Sequence, residues 1–262
     1  MRWAAWTICK REIKSLFVSP IAYVVLGLFA LASGILFRLG MEQFDHFLKD
    51  PQIQMQLAQS PDFLNLVNIN SFLVINVTQV TFTLLLIAIP FFTMRLLTEE
   101  RVNHTYELLK TSPCSNWDII LGKFIASAFF LFLCLLSHGM FIALMFLYGN
   151  PEPLPILSAY LGLFLAGLTF VAVGLFASAI TNHQIIALMI SFAINVGLVI
   201  VSWGATNTFD RLANFLQQAS ISHHYEQFNQ GIIQVSSLVY FISVLILFLG
   251  VGRIAVQAAS RA

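Results

Sequence analysis

A chain of 262 residues, 58% of them hydrophobic and only 10% charged, with a mean hydropathy of +0.84, lies far from the roughly 25% charge of soluble globular domains. Its solvent is lipid, and the length leaves room for several spans and short loops but none for an additional soluble catalytic domain. A net charge of +1 without a basic stripe excludes nucleic acid as a partner.

Residues 2–17 predict a helix with Trp3, Trp6, Ile13, Leu16 and Phe17 on one side and Thr7, Arg11, Lys14 and Ser15 on the other, Ile8 and Lys10 falling off the pattern. Tryptophans on the apolar side with Lys and Arg opposite suit a helix lying along lipid headgroups, so 1–19 reads as an interfacial helix and Pro20 as the turn into the membrane. The apolar run that follows outlasts a signal peptide's core and is expected to stay as a first span, about 20–41. Residues 42–70, with Glu42, Asp45, Asp50 and Asp62, form a first external loop. A second span covers about 71–94. Arg95 to Lys123 then places eight charges between two apolar runs, Ser71 to Met94 and Phe124 to Tyr148, that carry none. Each run meets the ~20 residues that a span needs, so what separates them must leave the bilayer. The third span covers about 118–148. Pro153 to Phe209 is 57 residues without a charge, which as one helix would extend ~85 Å against a ~30 Å hydrocarbon layer. The polar break Thr181-Asn182-His183-Gln184 folds it back into spans at about 156–180 and 185–204. A second external loop, 205–235, precedes a last span at about 236–252.

The expected fold is therefore an all-α polytopic membrane protein of six transmembrane helices, a single domain over 1–262 with both termini on one side. With those termini cytoplasmic, only Arg38, Lys49 and Arg211 of the 13 basic residues lie outside, as the positive-inside rule requires. Of the three cysteines, Cys9 and Cys114 then fall in the cytoplasm and Cys134 inside a span, which predicts no disulfide.

Enzymatic patterns are absent. There is no G-x-x-x-x-G-K-[ST] phosphate loop, no H-E-x-x-H and no G-x-S-x-G, so no catalytic residue, metal or cofactor is assigned to this chain. Adjacent His223 and His224 point in different directions on a helix and read as surface or interfacial histidines. A single His138 in the third span cannot supply the paired axial ligands of a membrane haem.

The charged segment carries more. Thr105 to Lys110 reads as a short helix capped by Thr105 and stopped by Pro113, with Tyr106, Leu108 and Leu109 either packed back on the chain or offered to a partner. Ser115 and Asp118 form a capping box for the third span. Arg95 and Glu99, at i, i+4, allow a solvated ion pair; alternatively Glu99 and Glu100 form an acidic hinge that neutralises basic residues of the N-terminal helix. Inside the spans, Asn76, Gln79 and Thr83 share one face of the second helix, and Ser191, Asn195 and Ser202 one face of the fifth. Such faces bond between helices or line a wet path. The small pairs Gly162 with Ala166 and Gly174 with Ser178 predict close helix packing.

MRLLTEERVNHTYELLKTSPCSNWDIILGKF resembles the cytoplasmic connector of type-2 ABC export permeases, particularly those similar to the gliding-motility permease subunit. The shared pattern is a paired glutamate, then Thr, Glu, Leu and Pro, then Gly-Lys, here Glu99, Glu100, Thr105, Glu107, Leu109, Pro113, Gly122 and Lys123. SISHHYEQFNQGIIQVSSLVYF is similar to that family's extracytoplasmic re-entrant segment, with His223, Phe228 and Gly231, and KREIKSLFVSPIAYVV resembles its start. Tyr106 and Gln234 depart from the pattern. The resemblance implies a coupling segment at 95–117 that docks an ATPase through Arg95, Glu99, Glu100, Thr105, Tyr106, Glu107, Leu108, Leu109, Lys110 and Pro113, and short re-entrant helices before the sixth span. It further implies a half-transporter of the bacterial inner membrane, paired with an identical or related permease and with two ATPase subunits that hold ATP and Mg. Export of a substrate is the implied function. The alternative is ATP-driven mechanical transmission to an extracytoplasmic auxiliary protein without solute transport.

Overall fold

The computed structural model describes residues 2–18, 20–59, 70–102, 115–148, 151–202 and 210–259, and every element among them is helical. In chain order these are α1 (Arg2–Val18), α2 (Pro20–Lys49), α3 (Pro51–Gln59), a π-helical turn (Asn70–Val74) leading into α4 (Ile75–Thr93), α5 (Thr98–Val102), α6 (Asn116–Tyr148), α7 (Pro153–Ile180), α8 (Gln184–Ile200), α9 (Asp210–Gln218), α10 (Ile221–Asn229) and α11 (Val235–Ala259).

Among the described residues, five stretches are long and apolar enough to cross a bilayer: Ala22–Lys49, Phe72–Val102, Asn116–Leu147, Pro153–Ile180 and Val235–Ala258. The expected fifth span corresponds to α8, which is apolar but only 17 residues long, about 25 Å at helical rise. Its end is met by other groups. The Val199 carbonyl accepts from the hydroxyls of Ser220 and Ser222, both at 3.1 Å, so the residues that open α10 are fastened to the end of α8.

α7 is the axis of the bundle. α4, α6, α8, α10 and α11 all pack on it, and Gly162, Ala166, Gly174 and Ser178 are buried in those seams. The small pairs thus admit neighbouring helices, as read from the sequence. A buried chain of hydrogen bonds joins three helices beside it. Tyr160 donates to His138 Nδ1 at 2.6 Å, His138 Nε2–H donates to Thr81 at 2.8 Å, and the Thr81 hydroxyl donates to the Val77 carbonyl at 2.9 Å. Each group is satisfied with a neutral imidazole, so the lone intramembrane histidine works as a clasp between α4, α6 and α7.

Three expectations are corrected. α2 does not stop near Met41 but runs to Lys49, where Arg38–Glu42 at 2.9 Å and Lys49–Asp45 at 2.5 Å are i, i+4 pairs that support a helix. Residues 42–49 and 51–59 are helical where a loop was expected. α11 likewise continues past Gly252 to Ala259, with the Arg253 guanidinium 5.1 Å over the Trp117 ring of α6. On α1, Ile8 and Cys9 are buried while Trp6 and Phe17 lie exposed; the off-pattern Ile8 packs on the bundle and those two apolar side chains stay outside it.

Candidate functional site

The chain leaves α4 in a tight turn over residues 94–97 and enters α5. Two contacts fasten this exit to α7. The backbone N–H groups of Leu97 and Thr98 donate to Ser178 Oγ at 2.8 and 3.2 Å. The Arg101 guanidinium then closes the C-terminal end of α7, donating to the carbonyls of Ala179 at 2.6 Å and Thr181 at 3.2 Å and to Asn182 Oδ1 at 3.0 Å. Helix C-termini present unpaired carbonyls and negative partial charge, which is where a guanidinium binds best.

A four-charge cluster ties the same exit to α1 and α6. Glu100 Oε1 accepts from Arg11 at 2.6 Å and from Lys123 at 3.1 Å, and Glu12 Oε1 accepts from Arg11 at 2.9 Å and Lys123 at 3.0 Å. Lys123 is 1% exposed, Glu12 and Glu100 15% and 14%, and Arg11 53%. A buried ammonium is tolerated only when paired, and two carboxylates against two cations leave the cluster neutral. Arg11 is held above its ordinary pKa: burial opposes the charge, but the hydrogen bonds and charges of Glu12 and Glu100 outweigh it. Burial also raises the Cys9 thiol, and the Glu12 charge adds to that. Close approach of α1 depends on Gly122, where an added Cβ would sit 2.8 Å from Ile8 Cγ2 and 2.9 Å from the Ala5 carbonyl oxygen. α6 opens with the capping arrangement read from the sequence: Ser115 N–H donates to Asp118 Oδ2 at 3.0 Å and Trp117 N–H to Ser115 Oγ at 3.4 Å.

The two glutamates of the acidic pair take different partners. Glu99 pairs with Arg95 at 3.2 Å, and Glu100 reaches the N-terminal helix at Arg11. Thr105, Tyr106, Glu107, Leu108, Leu109, Lys110 and Pro113 lie outside the described residues.

The two polar faces do not meet within one chain. Asn76 and Thr83 point outward and bond to carbonyls of their own helix, Phe72 at 2.6 Å and Gln79 at 3.3 Å; Gln79 is partly buried between them. Ser191 and Asn195 are fully buried, and Ser202 bonds to Ser222 of α10 at 3.0 Å.

α10 is sunk into the bundle. Phe228 lies against Gly162 of α7, Tyr225 stacks on Phe82 at 4.5 Å, and Asn229 bonds to the Thr78 hydroxyl and, at 3.0 Å, to the Ile75 carbonyl. Gly231, at φ +83, takes the left-handed conformation that ends the helix. His223 is only partly buried, but His224 departs from the surface reading. It is buried, bonded to Ser237 and to the Gln218 carbonyl, both at 2.9 Å, and stacked on Tyr240 at 4.1 Å. Burial lowers its pKa; the Gln218 bond opposes the shift and the His223 charge adds to it.

No sequence pattern singles out Glu12 or Arg101, and Ser178 and Asn182 read only as a packing residue and a hairpin residue, although two signals are present. Glu12 is the one acidic residue of the first 19, and Lys123 is the one charge between Asp118 and Glu152. A solitary cation at the start of an apolar run calls for a carboxylate somewhere.

These features define a multi-pass helical membrane protein whose charged exit from α4 is fastened to α1, to the first turns of α6 and to the C-terminal end of α7. Over residues 6–259 the chain matches the family model described as ABC-2 family transporter protein. It belongs to that family, and so is the membrane component of an ABC transporter. No curated protein matches the chain.

Proposed function

We propose that this chain is one half of an ATP-driven exporter of the bacterial inner membrane, and that residues 95–117 carry force to it from a separate ATPase subunit. On this reading α8 is the fifth of six spans, both termini are cytoplasmic, and α10 is an extracytoplasmic re-entrant helix. Two ATPase subunits bind ATP and Mg, and a second permease, identical or related, faces this one across the outward polar face of Asn76, Gln79 and Thr83. Ser191, Asn195 and Ser202 belong to the packing side of α8.

The observation that carries the reading is the cluster of Arg11, Glu12, Glu100 and Lys123. Displacement of a docked segment at Thr105 to Lys110 enters through α5. It passes to α1 and α6 through Glu100, and to α7 through Ser178 and Arg101. Coupling then needs only that the ATPase contacts the segment differently in its two states.

Replacing Leu108 and Leu109 together with Asp tests this directly. The ATPase is expected to leave the membrane fraction while the melting temperature of the purified chain stays unchanged; an ATPase that remains bound overturns the docking. Export is separated from mechanical transmission by ATPase stimulation. A solute that raises turnover supports export, whereas indifference to every solute with a response to an external protein supports transmission.

A further inference from the structure

A groove of about 310 Å³ runs between α2 and α4, lined by apolar side chains alone, among them Val25, Leu28, Phe29, Ile87, Ala88 and Phe91. It lies open on the side facing outward from the bundle, where Leu28, Ile87 and Phe91 are exposed. At the connector end its wall at Phe91 is shared with a small cavity bounded by Ala22, Phe92, Arg95 and Glu99. That cavity shares Arg95 and Glu99 with a second, of about 270 Å³, whose charged lining is Arg11, Arg95, Lys123, Glu12, Glu99 and Glu100. The apolar slot thus adjoins, across Phe91, a mouth holding three cations and three carboxylates.

We propose that this continuous site binds one zwitterionic phospholipid with a primary ammonium, of the phosphatidylethanolamine type. The order of chemistry along the chain matches the order of groups in such a molecule. Ile87 and Phe91 stand one turn apart on α4, and Arg95 and Glu99 follow beyond its end, paired with each other at 3.2 Å, so the chain presents two apolar side chains, then a cation, then an anion. Acyl chain, phosphate and ammonium follow in the same sequence. The Arg95 guanidinium makes one hydrogen bond among the described residues, to Glu99, and is 24% exposed, so donors remain for a phosphate at a fork that suits it. Glu99, 46% exposed, accepts from an ammonium that carries N–H, which a quaternary ammonium lacks. A zwitterion leaves the balanced mouth balanced, whereas an anionic headgroup adds an uncompensated charge beside Glu12, Glu99 and Glu100. A second copy of the chain would cover the apolar slot with side chains and leave the charged mouth empty.

The test uses the full-length chain in mild detergent, with native mass spectrometry of retained lipid and a photo-crosslinking residue in place of Ile87 on an otherwise unaltered chain. Phosphatidylethanolamine is expected to stay bound at one per chain and to be the crosslinked species. Arg95→Gln is expected to weaken its rebinding at least about tenfold, the change for one lost charge-assisted hydrogen bond, and Ala88→Phe to do so by filling the slot. Ile246→Ala, on an exposed face of α11, leaves it unchanged. The proposal is overturned if phosphatidylethanolamine, phosphatidylcholine and phosphatidylglycerol are retained alike, or if the crosslinker captures no phospholipid. It is equally overturned if soluble phosphoethanolamine binds as well as the lipid and Ala88→Phe has no effect. The crosslinking arm keeps the result decisive where a charge variant fails to fold.

Discussion

Lys123→Met removes the most deeply buried charge of the connector cluster while keeping nearly the length of the side chain. What remains is Arg11 against two carboxylates that are 15% and 14% exposed, a net negative charge in a site with little water. Removing one partner of a buried ion pair costs about 3–5 kcal/mol. Arg11 is half exposed and stays in contact with both carboxylates, so the low end, about 3 kcal/mol, applies. At about 2–4 °C per kcal/mol for a chain of this size, the melting temperature in detergent falls by roughly 6–12 °C. Adding Glu100→Gln restores one cation to one carboxylate, and the double variant is expected to regain more than half of the loss. Melting of Lys123→Met within about 2 °C of the parent, or a double variant less stable than the single, would refute the claim that these four groups stabilise one another.

Three further outcomes follow from named contacts. Gly122→Val drives a side chain into Ile8 and the Ala5 carbonyl, and overpacking of this kind costs about 1–3 kcal/mol; thermal melting of the variant beside Gly122→Ala measures it, with the larger side chain expected to cost more. Tyr160→Phe leaves His138 Nδ1 buried without its donor, at about 1–3 kcal/mol, and the double change with His138→Phe is expected to melt above the single; no difference would remove the clasp. His224 is held by burial below its ordinary 6.5, so the unfolded chain takes up the proton first as pH falls. The stability that His224 contributes is complete above pH 6.5 and is lost as pH drops through the lowered folded value. Melting temperatures taken from pH 8 to pH 5 are therefore expected to decline more steeply for the parent than for His224→Gln, and equal slopes would contradict the assignment.

The spans were legible because a bilayer imposes one length on every apolar run. α6 and α7 begin and end within three residues of the boundaries expected from hydropathy. What hydropathy does not report is where a helix stops. α2 and α11 continue because backbone pairing persists in water once ion pairs or a stacked guanidinium support it. The connector was legible as charge between apolar runs, and the Arg95–Glu99 pair as simple spacing. Glu12 with Lys123, 111 positions apart, and Arg101 with Ala179, 78 apart, were not, since no local period links residues so distant. Nor did the pattern on α1 mark Ile8 as its packing residue, because the space for Ile8 is made by a glycine on α6 that is 114 positions away.

α7 touches five other helices and lies buried along most of its length, whereas α2 leaves most of its side chains outside. Descendants of this sequence can therefore exchange Leu, Ile and Phe freely along the outer face of α2 away from the groove at Val25, Leu28 and Phe29, where any fluid hydrocarbon surface is equivalent. A change in α7 must be answered by substitutions in several partners at once. Divergence within the lineage should accumulate at the rim and spare the centre, so a library aimed at altering what the protein handles is better randomised on α4 than on α7.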